Sequence, residues 1–188
     1  MSQQAVQRLD LVIVGIMAGA TQLAIYALAL KIAQLLYFPA MASRAALAPR
    51  FSVLFEKGDH VGIKKLLLSG TLILAVISVV LGFSLYFLSP FALHFLDNVY
   101  LEDSLKILLI LIGAEFVIST FTPIKLRFLM GNSQKKLSII FFTGLVLNVV
   151  LNIYYLPIYG IEAAAYIRFF VMLGIHLVMT VGLLAKPK

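Results

Sequence analysis

A chain of 188 residues that is 62% hydrophobic, 12% charged and of mean hydropathy +1.06 is not an ordinary soluble domain. Such domains are roughly 45–50% apolar and about 25% charged, and surface area does not fall fast enough with size to hide the excess. The 15 Lys+Arg exceed the 8 Asp+Glu, but they are scattered between apolar runs rather than gathered in an aromatic-interleaved stripe, which excludes a nucleic-acid-binding reading.

The absence of cysteine excludes a disulfide framework and a thiolate metal site. "MSQQAVQRLD" at the start has no secretory pattern. Leu11 to Leu30 is uncharged, and the apolar pattern continues to Ser43 across Lys31. As one helix this is too long, so the spacing predicts a turn at Gly19–Gln22 between helices over about 3–18 and 22–56. The first is short, because only Leu11–Ala18 is apolar before the turn. Pro39 and Pro49 should kink the second, since each removes a backbone donor.

Charge-free runs follow at Leu66–Leu88, Leu137–Ile161 and Phe169–Ala185, the last reaching back to Ala163 across Arg168; Ile107–Ile124 is broken only by Glu115. A membrane span needs about 20 predominantly apolar residues. These runs predict helices over about 62–89, 102–130, 135–156 and 161–185. None alternates with period two, so a barrel is excluded. The expected fold is an all-α integral membrane protein, a single lobe of six transmembrane helices over 1–188.

Basic residues mark cytoplasmic loops. With the N-terminus inside, the inner face carries Arg8, Arg50, Lys57, Lys64, Lys65, Lys125, Arg127, Lys135, Lys136, Lys186 and Lys188, while the outer face carries only Lys106. Both termini are therefore expected in the cytoplasm. A five-helix scheme moves only Arg8. "EKGDH" (56–60) and "MGNSQKK" (130–136) read as inner turns. The longest outer connection carries Phe91, Phe95 and Tyr100; with Tyr154, Tyr155 and Tyr159 these suit a membrane–water interface.

Ionisable groups at membrane depth cost on the order of 3 kcal/mol each, so they face a bundle interior or a wet cavity. Asp10, Lys31, Arg44, Glu115 and Arg168 qualify. Lys31 lies near mid-depth, where snorkelling reaches poorly, and is expected to face a cavity. Arg44 is nearer the inner face, where snorkelling competes with function. Arg168 either lines a cavity or pairs with Glu115 or Glu162; its planar fork suits phosphate. Glu115 has no partner within its own helix, which leaves structural pairing and proton coupling open. Asp10 is intramembrane if the first helix is complete, and at the surface otherwise. Asn148 and Asn152 share one face; cross-helix hydrogen bonding or substrate contact would use them. The three alanines at 163–165 permit close helix approach. His60, His94 and His176 share no local motif, and there is no H-E-x-x-H, phosphate loop or G-x-S-x-G. No enzymatic activity, cofactor or metal is expected.

The order "DLVIVG" (10–15), "AIYALALKIAQL" (24–35), "LAPRFSVLFEKGD" (47–59), "FLMGNSQKK" (128–136) and "LNVVLNIYYLPIYGIEAAAY" (147–166) resembles the polysaccharide flippases. These O-antigen and exopolysaccharide repeat-unit translocases belong to the multidrug/oligosaccharidyl-lipid/polysaccharide exporter superfamily. Asp10, Gly15, Tyr26, Ala29, Lys31, Ile32, Gly58, Asp59, Gly131, Asn132, Asn152, Pro157, Gly160, Ile161, Ala163 and Ala164 fall on the family pattern, with Pro49 and Ser52. Glu162 departs from it, where the family usually has Gly.

The resemblance implies the C-terminal half of a transporter of twelve or more helices, entered partway through its first helix, with an N-terminal lobe as partner in the same gene or in trans. It implies flipping of undecaprenyl-diphosphate-linked oligosaccharide across the bacterial inner membrane by rocking of two lobes. Lys31, Arg168 and Arg44 would then meet the diphosphate, and Asp10 or Glu115 would couple an ion. A multidrug antiporter of the same superfamily is the nearest rival, although its cavity should be acid-rich. A non-transporting subunit of a glycan assembly complex is another. A membrane glycosyltransferase or polymerase would need a catalytic outer loop, which this sequence lacks.

Overall fold

The computed structural model describes residues 2–93, 101–131 and 133–184. His94, Phe95, Asp97 and Tyr100, of the connection expected on the outer face, lie outside the described residues, as do Asn132, Lys186 and Lys188. Every element among the described residues is a helix. In chain order they are α1 (Ser2–Ala33), a 3-10 turn (Gln34–Tyr37), α2 (Phe38–Glu56), α3 (His60–Leu93), α4 (Leu101–Thr120), α5 (Thr122–Met130) and α6 (Gln134–Leu184).

Three stretches are long and apolar enough to cross a membrane: Leu9–Glu56, His60–Phe91 and Gln134–Leu183. Ser104–Thr120 with Thr122–Met130, bent by 40°, makes a fourth. The first and last are far longer than a bilayer is thick, since 50 residues would extend about 75 Å against a hydrocarbon core of about 30 Å. Each is broken at a single glycine. Gly19 has φ 84° and ψ 173°, and Gly160 has φ 68° and ψ −162°. That backbone region is essentially closed to residues with a Cβ.

The chain folds back at both points. Gly15 lies against Leu23, where a Cβ would come within 3.1 Å of that side chain. A straight helix would hold the two about 12 Å apart. A Cβ on Gly144 would collide with Ile175, a residue that a straight α6 would hold about 46 Å away. Phe141, Met172, Ile175 and Met179 share one core as a result. The expected turn at Gly19–Gln22 thus contracts to one residue, and the helix expected to stop at 156 continues to Gly160, through Pro157.

Prolines act unequally. Pro39 sits in the first turn of α2, directly after the 3-10 turn, so the expected interruption occurs there. At Pro49 no interruption occurs, and α2 runs on to Glu56. The expected continuous helix over 102–130 is instead split at Phe121, because Pro123 takes the first turn of α5 and has no N–H to offer. Between α2 and α3, Gly58 takes φ 65° and the Asp59 carboxylate accepts from the Gly62 N–H at 2.8 Å, capping α3.

Polarity is arranged for lipid. Leu72, Val80, Phe83 and Phe87 of α3 and Ile139, Phe142 and Val150 of α6 are exposed, while Asp10, Glu115, Asn148, Asn152 and Arg168 are buried. An apolar face of that extent is a liability in water and a requirement in a bilayer. The main core joins α1, α4 and α6 through Val14, Tyr26, Leu108, Leu111, Ala164 and Ala165. Ala164 and Ala165 are fully enclosed, as close helix approach requires. A small cluster of Phe51, Ile63 and Leu126 closes the other end.

Candidate functional site

The two glycine turns set the depth of the polar residues. Asp10 precedes Gly19 and Tyr26 follows it; Asn152 precedes Gly160 and Arg168 follows it. Each is seven to nine residues from its glycine, or about 10–14 Å along its helix. The α1 and α6 hairpins pack together, so these side chains meet at one level. Glu115 joins them from α4.

Arg168 is the hub. One guanidinium nitrogen, Nη1, donates to Asp10 Oδ2 at 2.9 Å, and Nη2 donates to Glu115 Oε1 at 2.6 Å. All three side chains are fully enclosed. Charge-assisted bonds of this length are among the strong ones, and they tie together three segments that are distant in sequence. Of the alternatives for Arg168, the structure realises pairing, and Glu115 rather than Glu162 is the partner from the sequence-based alternatives. The guanidinium is fully enclosed. Asp10 lies on α1 and is buried in the helical core rather than at the protein surface.

Around the trio lie groups with spare bonding capacity. Tyr26 is buried beside Asp10, Arg168 and Glu115, and its hydroxyl has no partner among the described residues. The same holds for Asp10 Oδ1, Asn148 Nδ2, Asn152 Oδ1 and Arg168 Nε. Each such atom costs on the order of 1–3 kcal/mol when buried. Asn148 faces the Asp10 carboxyl. Asn152 donates to the Asn148 carbonyl at 2.9 Å and to Asn148 Oδ1 at 3.2 Å. The expected cross-helix bonding of Asn152 is therefore replaced by a bond within its own helix. No group of three or more His, Cys, Asp and Glu among the described residues could hold a metal ion.

Charge bookkeeping defines what the cluster can do. One guanidinium faces two carboxylates, so these three side chains by themselves carry one negative charge when all are ionised. A proton or one small monovalent cation removes it. Tyr26 was visible only as part of the family pattern. The signal that singles it out is physical, since a tyrosine deep in an apolar helix needs a partner for its hydroxyl.

The remaining predicted residues lie apart. Lys31 is exposed at the end of α1 and lines no interior of this chain. Arg44 is half-buried on α2 and donates to the Tyr37 hydroxyl at 2.9 Å. His176 is buried, with Nδ1 2.7 Å from the Met172 carbonyl and its ring against Phe121, a structural setting. Glu162 is half-buried in the first turn after Gly160, where exposed amides favour a carboxylate. It borders a groove of about 400 Å³ with Tyr155, Tyr159, Tyr166 and Phe170.

The MatE family model matches residues 1–154. No curated protein and no solved structure matches the chain. The match contains Asp10, Tyr26, Glu115, Asn148 and Asn152 and ends before Gly160, so Arg168 lies beyond it. With a match over most of its length, and with the apolar helices to fit, this multi-pass membrane chain belongs to the MatE family, transporters of the multidrug/oligosaccharidyl-lipid/polysaccharide exporter superfamily.

Proposed function

We propose that the chain forms one lobe of a flippase for undecaprenyl-diphosphate-linked oligosaccharide in the bacterial inner membrane. It crosses six times with both termini in the cytoplasm, and it works against a second lobe. The observation that carries this reading is the ordered set of flippase-like motifs over nearly the whole chain. The basic inner turns support the orientation. Lys31, exposed on the lobe surface, would face the cargo path between lobes, with Arg44 near the cytoplasmic entry. Arg168, paired with two carboxylates, would meet the diphosphate only if that pairing opened.

The Asp10–Arg168–Glu115 cluster then serves coupling. Taking up a proton or a monovalent cation changes its charge, and it joins the hairpins of α1 and α6 to α4. A change of charge at that junction would bias how they pack, which is what a rocking mechanism requires.

A multidrug antiporter is the second reading. The observation favouring it is the outer groove, where aromatic faces surround Glu162, a combination suited to an organic cation. Flux separates the two. Co-expressed with a complementary six-helix lobe in a flippase-deficient cell, the chain should restore surface polysaccharide, and alone it should not. Lys31→Ala should lower that restoration at unchanged membrane abundance. Ethidium resistance without polysaccharide would transfer the assignment to the antiporter, and neither phenotype would leave the non-transporting subunit.

A further inference from the structure

We infer that the groove between the two arms of α6 binds a phospholipid with a primary-ammonium headgroup, the ammonium on Glu162 and an acyl chain along the apolar end. Each arm, 134–159 and 161–184, extends about 36–39 Å. The hydrocarbon core of a bilayer is about 30 Å thick, so the Gly160 turn reaches headgroup depth at one membrane face. Tyr154, Tyr155, Tyr159 and Tyr166, all exposed, gather at that end, where tyrosine rings settle between lipid tails and water.

The groove has a direction. One arm lines it with Leu151, Tyr155 and Tyr159, and the other with Glu162, Tyr166 and Phe170. Within each set the residues are four apart, so each forms one row along its helix. Ala163 and Ile167, both buried, floor the space between the rows. Because Gly160 joins the arms, Tyr159 and Glu162 stand at the headgroup end, and Leu151 and Phe170 lie about 12 Å deeper. The groove is thus charged and hydroxylated where the membrane is wet, and apolar where it is dry. That is the profile of an amphiphile. Its volume of about 400 Å³ is within the range of small-ligand sites.

Charge selects the headgroup. Glu162 is half-buried, and its carboxylate has no ion pair among the described residues. The rings of Tyr155 and Tyr159 stack 6.1 Å apart beside it, and Tyr154 meets Tyr155 edge-on at 5.0 Å. Ring faces attract a cation. A primary ammonium also donates N–H bonds to the carboxylate, which a quaternary one lacks, and the tyrosine hydroxyls can donate to the lipid phosphate. An anionic headgroup would be repelled. A soluble cation would leave the apolar end uncovered. A second copy related by a two-fold axis would bring Glu162 toward its own equivalent. Glu162 is also where the sequence departs from the flippase-like pattern, so the shared fold does not call for this carboxylate. The antiporter reading places a transported cation in the same groove; a resident lipid needs no transport, only the membrane setting.

The test uses the full 188-residue chain in neutral detergent micelles. Phosphatidylethanolamine and phosphatidylglycerol, each with the same photoreactive acyl chain, are crosslinked to it, and the labelled peptides are mapped. Saturable labelling of 151–170 by phosphatidylethanolamine, about fivefold above phosphatidylglycerol, supports the site. Glu162→Gln should remove that preference, while Glu56→Gln on the exposed α2–α3 turn should keep it. Tyr159→Ala should lower the labelling about threefold, and Tyr159→Phe, which retains the ring face, should stay within about twofold of wild type. Equal labelling by the two lipids overturns the site, as does a preference that survives in Glu162→Gln. Crosslinks joining the grooves of two chains overturn it in favour of a second copy. Saturable ethidium binding at the groove without lipid preference overturns it in favour of the antiporter. None of these outcomes touches the flippase reading, which stands or falls on restored polysaccharide.

Discussion

Arg168 and Arg44 are both arginines within membrane-crossing stretches, and their surroundings differ. Arg168 is fully enclosed and holds one carboxylate on each side. Arg44 is half-buried and holds a neutral hydroxyl, with a lysine as its charged neighbour. The first arrangement supplies its counter-charges from within the chain and ties helices together. The second joins its guanidinium to a neutral hydroxyl two helical turns back along the chain. The same residue type fastens three distant segments in one place and makes a local bond in the other, and only its partners decide.

The largest expected effect falls on the fastener. Arg168→Ala strands two buried carboxylates and should destabilise the lobe by about 3–5 kcal/mol, read as a fall in thermal midpoint and in folded yield from detergent. Arg168→Met combined with Asp10→Asn and Glu115→Gln removes every charge at once and should recover most of that loss. A triple variant as unstable as Arg168→Ala would show that shape, not charge, holds the hairpins. By contrast, Arg44→Gln should leave the unfolding free energy within about 0.5 kcal/mol, which is the sharpest form of the contrast.

Next in size are the glycine turns that bring the fastener together. Gly160→Val forces a β-branched residue into a backbone region meant for glycine and should cost about 1–3 kcal/mol, while Gly174→Ala, inside a helix with open space around it, should not destabilise. Ser78→Ala loses the 2.9 Å bond from Ser78 to Ser119 that links α3 to α4, worth about 1 kcal/mol. Smallest is Lys31→Gln on the lobe surface, expected within about 0.5 kcal/mol of wild type in unfolding measurements.

Much of this architecture is legible in the sequence, for physical reasons. Charge-free runs mark helices because lipid excludes charge, and Gly19 and Gly160 stand where a long apolar run must fold back. That Glu115 needs a partner from another helix follows from its lack of one nearby. The choice of Arg168 over Lys31 does not follow, because it depends on how two hairpins rotate against each other. Pro49 and Pro123 look alike in sequence, yet only the second ends a helix. Lys125 is the plainest miss: a lysine close to a polar turn reads as a loop charge, and only packing shows that it lies over Phe141.

The one-residue turns also bear on how the chain enters the bilayer and how its topology can be probed. Across Gly19 and Gly160 no polar loop exists to be carried over, so each pair of arms is suited to insert as a preformed hairpin rather than one helix after another. At either membrane face, such a turn offers a protease or labelling reagent almost nothing to grip. Epitope insertion at Gly58 or Gly131 should report which membrane face those turns occupy, whereas insertion at Gly160 would add the loop whose absence lets the hairpin close.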